Sequence, residues 1–161
     1  MVENIQRNLK FLLKFLGVFF VLYLIVNLFS IEFLQDSIAL YLANFLHAAY
    51  SSHYVFINDH VFEIAPDCTG VISTIMLASI LIALKKPTVK QKLLLLLLGI
   101  LLIFPLNFLR LVFVLGVAKI AFELSNIAHA VSWFLMGFFV VSLWFFIIER
   151  VYKIKVDESF F

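Results

Sequence analysis

Residues 93–116 read LLLLLLGILLIFPLNFLRLVFVLG, a run in which Asn107 and Arg110 are the only strongly polar side chains. A bilayer's hydrocarbon core is crossed by about 20 mainly apolar residues in a helix, so this stretch predicts a membrane span. The rest of the chain agrees. Of its 161 residues, 65% are hydrophobic and 14% charged, against roughly 25% charged in an average soluble domain. A water-soluble core would need a polar shell that this composition cannot supply. The reading is an all-α integral membrane protein forming one membrane domain over residues 1–161.

Working outward from this run, three further spans are expected at about 11–30, 68–84 and 130–148, with the first run taken as 93–116. The second is short unless it begins near Cys68. The basic residues are distributed unevenly. Arg7, Lys10 and Lys14 precede the first span, Lys85, Lys86, Lys90 and Lys92 lie between the second and third, and Arg150, Lys153 and Lys155 follow the fourth. Positive residues mark the cytoplasmic side of short loops, so both termini are expected inside. This placement accounts for the net charge of +2 without a nucleic acid or another anionic partner. No small-residue cleavage site follows the first apolar run, which therefore reads as an uncleaved helix.

The segment 31–67 has no Lys or Arg and is expected outside. Phe33, Leu34, Ile38, Leu42, Phe45 and Leu46 recur at helical intervals among Glu32, Gln35, Asp36 and Asn44, which predicts an amphipathic interfacial helix over 31–50. Tyr54 to Ile64 reads as two β-type runs joined by Asn58-Asp59, a small β-hairpin. This hairpin leads directly into Pro66-Asp67-Cys68.

On this topology Cys68, Arg110 and His129 fall at one depth, near the outer face. Arg110 is expected about six residues, roughly 9 Å, below the outer end of its helix. A lone cysteine in an apolar chain is usually inert, and an interfacial histidine usually solvated. Arg110 is different, because a guanidinium within a span costs on the order of 3 kcal/mol and needs a partner or a task. Asn107 shares its helical face. Together the three form the equipment of cysteine acyl transfer. A thiol at a helix N-terminus near an arginine is expected to have a lowered pKa, with Asp67 pulling the other way. A histidine in reach serves as general base or acid, and arginine stabilises an oxyanion.

Pro66-Asp67-Cys68-Thr69-Gly70, then Asn107-Phe108-Leu109-Arg110, then His129 resemble the exosortase/archaeosortase family in order and in placement relative to the spans. The resemblance covers roughly residues 60–145. It implies that Cys68, Arg110 and His129 are the catalytic set, with Asn107, Thr69 and Gly70 as supporting positions; Asp67, beside the cysteine, is counted with them as a supporting or substrate-binding residue. It further implies a membrane-embedded cysteine transpeptidase in the plasma membrane, with its site facing outside. The implied substrates are exported proteins ending in a short motif, a transmembrane helix and a basic tail, which are cleaved at the motif and passed to an acceptor such as a lipid. No cofactor or metal is implied.

Other classes remain on the sequence alone. A non-catalytic membrane subunit could use Arg110 for helix assembly and leave Cys68 idle. A small transporter could use Arg110 on an anion path, but no repeated half or broken-helix pair accompanies it. The external histidines His47, His53, His60 and His129 fit no helical metal-ligand spacing. Trp133 and Trp144 are expected at the two membrane interfaces.

Overall fold

The computed structural model describes residues 2–150; Lys153 and Lys155, used above to orient the chain, lie outside them. The elements are α1 (Val2–Leu28), α2 (Glu32–Leu46), β1 (Ala49–Ser51), β2 (Tyr54–Ile57), β3 (His60–Glu63), a 3-10 turn (Pro66–Cys68), α3 (Val71–Ala83), α4 (Val89–Ile120), a second 3-10 turn (Phe122–Leu124) and α5 (Ser125–Arg150). These residues pack as two compact units. One comprises residues 2–29, 73–101 and 139–150, the other residues 30–72 and 102–138.

The first unit is built for lipid. Its α1 carries an i, i+4 ladder of stacked or tilted rings, Phe11, Phe15, Phe19 and Tyr23, and exposes Leu13, Phe20 and Leu24. Thr88 and Gln91 form a cap at the start of α4, with the Gln91 Oε1 accepting from both the backbone and the hydroxyl of Thr88 at 2.9 Å. Lys92 donates to the Leu84 carbonyl just past the end of α3. A side chain on Gly99 would run into Leu77, so α3 and α4 cross closely there.

Three helical stretches, 8–28, 89–120 and 122–147, are long and apolar enough to cross a membrane. The expected span at 68–84 is instead a 13-residue helix, Val71–Ala83, about 20 Å long against a hydrocarbon core of about 30 Å. Cys68 precedes it in a 3-10 turn. Arg110 also sits deeper in its helix than expected. Because α4 continues to Ile120, ten residues follow Arg110, roughly 15 Å. Pro105 lies within this helix and takes away the backbone donor for Leu101, the residue at which one unit gives way to the other. Trp144, near the end of α5, is buried, and its indole Nε1 has no hydrogen-bond partner among the described residues.

The second unit holds the candidate site. The buried residues of α2, Gln35, Ala39, Leu42 and Ala43, recur at i, i+4, i+7 and i+8, the stripe that an amphipathic helix buries. The helix is shorter than the expected 31–50, because His47 adopts a left-handed conformation (φ 51) that ends it. That stop frees Ala49–Ser51 to pair. The expected hairpin is consequently a three-stranded antiparallel sheet in the order β1-β2-β3, with Ala49 opposite Phe56 and Val55 opposite Phe62. Val55 and Ile57 point inward and join Ala39, Leu42, Ile64, Cys68, Leu111 and Leu115 in one core.

Two clamps hold α2 and the sheet to the C-terminal end of α4. The Lys119 ammonium donates to the Leu46 carbonyl at 3.1 Å, and the Asn58 amide donates to the Lys119 carbonyl at 3.4 Å. His60 stacks on Phe122 with ring centroids 3.5 Å apart and 6° between planes, and Phe62 meets the same ring edge-on. The sheet thereby fixes the turn from which α5 starts.

Candidate active site

The site is organised by the turn that carries Cys68. Pro66 presets φ at the first turn position, and the amides of Cys68 and Thr69 donate to the carbonyls of Ala65 and Pro66 at 2.8 and 3.1 Å. Thr69, fully buried, donates its hydroxyl to the Pro66 carbonyl at 2.7 Å and accepts the Val71 amide at 3.3 Å. The hydroxyl thus ties the turn to the start of α3. Gly70 adopts φ +85, and a Cβ there would make ordinary 3.5 Å contacts with Asn107 and Ile103. Glycine is required by the backbone angle rather than by lack of room.

Across from this turn runs the buried stripe of α4: Ile103, Asn107, Arg110, Leu111, Val114, Leu115 and Ala118. Asn107 and Arg110 occupy two positions of an otherwise apolar row, so both polar groups are carried inward. Asn107 is 2% exposed and its Nδ2 donates to the Cys68 carbonyl at 2.5 Å. This bond holds the backbone of the cysteine. Arg110 is 6% exposed, and its guanidinium lies close enough to the Cys68 thiol for the two to interact electrostatically. Its Nε and Nη2 are buried without a hydrogen-bond partner among the described residues. These two N–H groups share one edge of the planar guanidinium.

His129 lies in the second turn of α5, half-buried, and is within electrostatic range of both Arg110 and Asp67. Its imidazole makes no hydrogen bond among the described residues; Glu123 and Asn126 in the preceding segment are exposed and do not engage it. Asp67 is exposed beside Cys68 and exerts its charge on both the thiol and the histidine. Cys68, Arg110 and His129 are therefore brought into one neighbourhood of the second unit. Asp67, Thr69, Gly70 and Asn107 surround the cysteine, each in a distinct structural role.

The thiol departs from the sequence expectation. Burial among apolar neighbours pushes the Cys68 pKa up, and the opposing pull of the Arg110 charge does not cancel it; a backbone hydrogen bond with Ala65 also lowers it, while Asp67 raises it. The expected helix-end activation is absent because Cys68 sits in the 3-10 turn, three residues before α3 begins. Desolvation disfavours the thiolate, so Cys68 is a neutral thiol at neutral pH and requires a base when it reacts. Alkylation of Cys68 by iodoacetamide should rise with pH through a midpoint above that of an exposed cysteine, since the reactive thiolate forms only at higher pH. A midpoint below it would reverse this assignment.

One supporting residue was not anticipated. Gln35 is buried, and its Nε2 donates to the Ile64 carbonyl at 2.7 Å, fastening α2 to the strand exit that leads to Pro66. The signal was present, because Gln35 lies on the same stripe as Ala39 and Leu42. A polar residue in a buried stripe needs a partner.

With this geometry in place, comparison with known proteins adds one match: a family model described as transmembrane exosortase covers residues 5–149. No curated protein and no solved structure matches the chain.

Proposed function

The chain belongs to the transmembrane exosortase family, and from that premise we propose that it is a membrane-embedded cysteine transpeptidase acting on exported proteins. The observation that carries this reading is the pairing of a buried thiol with a buried guanidinium that has two unused N–H donors. A structural ion pair would use those donors. A site for acyl chemistry keeps them for a charge that develops during reaction.

In the proposed sequence, the substrate's scissile amide carbonyl enters beside Cys68. Sγ forms a bond to the carbonyl carbon while its proton passes to neutral His129. The carbonyl π electrons move to oxygen, and the resulting oxyanion is held by Arg110. Collapse of this intermediate breaks the C–N bond, and the imidazolium gives its proton to the departing amine. An acceptor hydroxyl, amine or water then attacks the thioester, with His129 taking its proton, and Cys68 leaves and is reprotonated. No cofactor is needed for any step.

The substrates fitting this chemistry are exported proteins with a C-terminal motif, a transmembrane helix and a basic tail, and a lipid head group suits the acceptor. The charge distribution of the loops supports placement in the plasma membrane with both termini inside and the site outside. The test is co-expression with candidate tripartite-tail substrates, read by intact mass of material recovered from the outer face. Loss of the C-terminal helix in the presence of this protein is expected, and the new terminal mass separates hydrolysis from transfer. Unchanged masses across a broad substrate panel would sink the proposal.

Asn107 gives a graded prediction. In Asn107→Ala the Cys68 carbonyl loses its buried donor, a cost of about 1–3 kcal/mol. Where that cost falls on the reacting geometry, it corresponds to roughly 5- to 150-fold in rate. The expected pattern is a lower kcat with KM little changed, together with an altered pH profile of Cys68 alkylation. A loss confined to thermal stability would reduce Asn107 to a packing residue.

A further inference from the structure

The reading above uses Arg110 for a transient oxyanion, but the resting geometry asks for more. The unused Nε–H and Nη2–H point the same way along one edge of the guanidinium, out of contact with solvent. Arg110 forms no ion pair among the described residues. Its neighbour Cys68 is held as a neutral thiol by burial, and the nearest acid in sequence to that thiol, Asp67, is exposed and not within ion-pair distance of Arg110. A 94% buried cation (6% exposed) with two parallel donors that find no acceptor among the described residues is a costly state that an incoming anion relieves. Two parallel N–H donors match the two oxygens of a planar carboxylate, the fork-to-fork arrangement that arginine makes best.

We infer that this edge of Arg110 is a carboxylate-binding site, whose ligand is the free C-terminal carboxylate of the cleaved substrate. The inference rests on the proposed acyl chemistry. The carbon bonded to Sγ in the thioester is the carbon that becomes the carboxylate when water is the acceptor. Its two oxygens then lie beside Arg110. The neutral thiol permits this occupancy, because no thiolate competes for the guanidinium. On the turn beside this edge Pro66 and Asp67 are exposed and Cys68 keeps 9% exposure. The consequence is an enzyme held by its own hydrolysis product, with the ligand lying over the nucleophile.

The experiment uses purified full-length protein in detergent and follows the rate of Cys68 alkylation by iodoacetamide. Three small probes are added at matched ionic strength: N-acetylglycine, its methyl ester, and inorganic phosphate. N-acetylglycine is expected to protect Cys68, slowing alkylation about tenfold once it is present at about ten times its dissociation constant, while the ester and phosphate leave the rate unchanged. In Arg110→Gln the protection by the acid should disappear. Equal protection by acid and ester would overturn the carboxylate site, as would protection by phosphate matching that of the acid, or protection surviving in Arg110→Gln. The wild-type comparison of acid with ester decides the matter even if the variant fails to fold. Substrate processing is measured on the same preparation. Processing without acid-specific protection defeats this inference and leaves the transpeptidase reading standing, whereas acid-specific protection in a preparation that processes nothing supports the anion site and counts against the enzyme reading.

Discussion

Cys68→Ala is expected to abolish processing of a tripartite-tail substrate, lowering the turnover rate by a factor on the order of 10⁴ or more, the scale seen when a covalent nucleophile is removed from an acyl-transfer site. No second thiol can take its place, since Cys68 is the only cysteine in the chain. The hydroxyl of the adjacent Thr69 is committed to the Pro66 carbonyl and the Val71 amide. The variant should nonetheless fold. Removing a thiol from the core formed by Leu42, Val55, Ile64 and Leu111 costs about 1 kcal/mol, typical of a small core truncation, and Asn107 bonds the backbone carbonyl, which alanine retains. The checks are intact substrate mass over time and the thermal midpoint of the purified variant. Processing within tenfold of wild type would exclude covalent catalysis by this residue and favour a non-catalytic membrane subunit. Wild type should also show a thioester adduct on Cys68 that hydroxylamine releases.

The sequence disclosed the residues of this site more readily than their physical state. Asn107 and Arg110 stand out because they are polar within an apolar run, and their i, i+3 spacing puts them on one face whatever the tertiary structure. Cys68 stands out by being alone. Its pKa does not, because desolvation depends on what packs around the thiol. Those neighbours come from α2, β2 and α4, up to 47 positions away at Leu115. The simple helix-end argument pointed the other way, and it failed once the turn Pro66–Cys68 was found to separate the cysteine from α3. The length of α3 was hidden for a related reason. Small and hydroxyl-bearing residues such as Thr69, Gly70 and Ser73 suit either a helix start or a turn, and only the local hydrogen bonds decide. The strand β1 was invisible because Ala49-Tyr50-Ser51 has little β character of its own. It pairs because His47 halts α2 and Ser52, with φ 51, reverses the chain beside β2. The hydrogen bond from Gln35 to Ile64 spans 29 positions, beyond any periodic pattern, although the odd polar member of the stripe announced that a partner was needed.

Arg110 supports the second large effect, and the choice of substitution separates charge from shape. Arg110→Gln removes the charge and the parallel donors together. Loss of one oxyanion donor costs about 10²–10³ in kcat, so loss of the fork with its charge should cost roughly 10³–10⁴. Arg110→Lys keeps the charge but presents a strongly hydrated ammonium that cannot span two acceptors in one plane, and a loss of at least about 10² is expected there also. Because the fork acts when negative charge develops on the carbonyl oxygen, the loss should appear in kcat, with KM changed little. Stability should move oppositely to activity. Taking an unpaired guanidinium out of a buried site removes a standing desolvation cost, so Arg110→Gln is expected to be no less stable than wild type in a thermal melt. Single-turnover rates with a mass-resolved substrate, taken alongside melting of each variant, provide the check. If Arg110→Lys kept full activity, the bidentate role would be wrong and a point charge would suffice. If Arg110→Gln lost stability and activity in parallel, Arg110 would be an assembly residue. A fall in kcat at unchanged or raised stability is the pattern expected of a buried charge retained for chemistry.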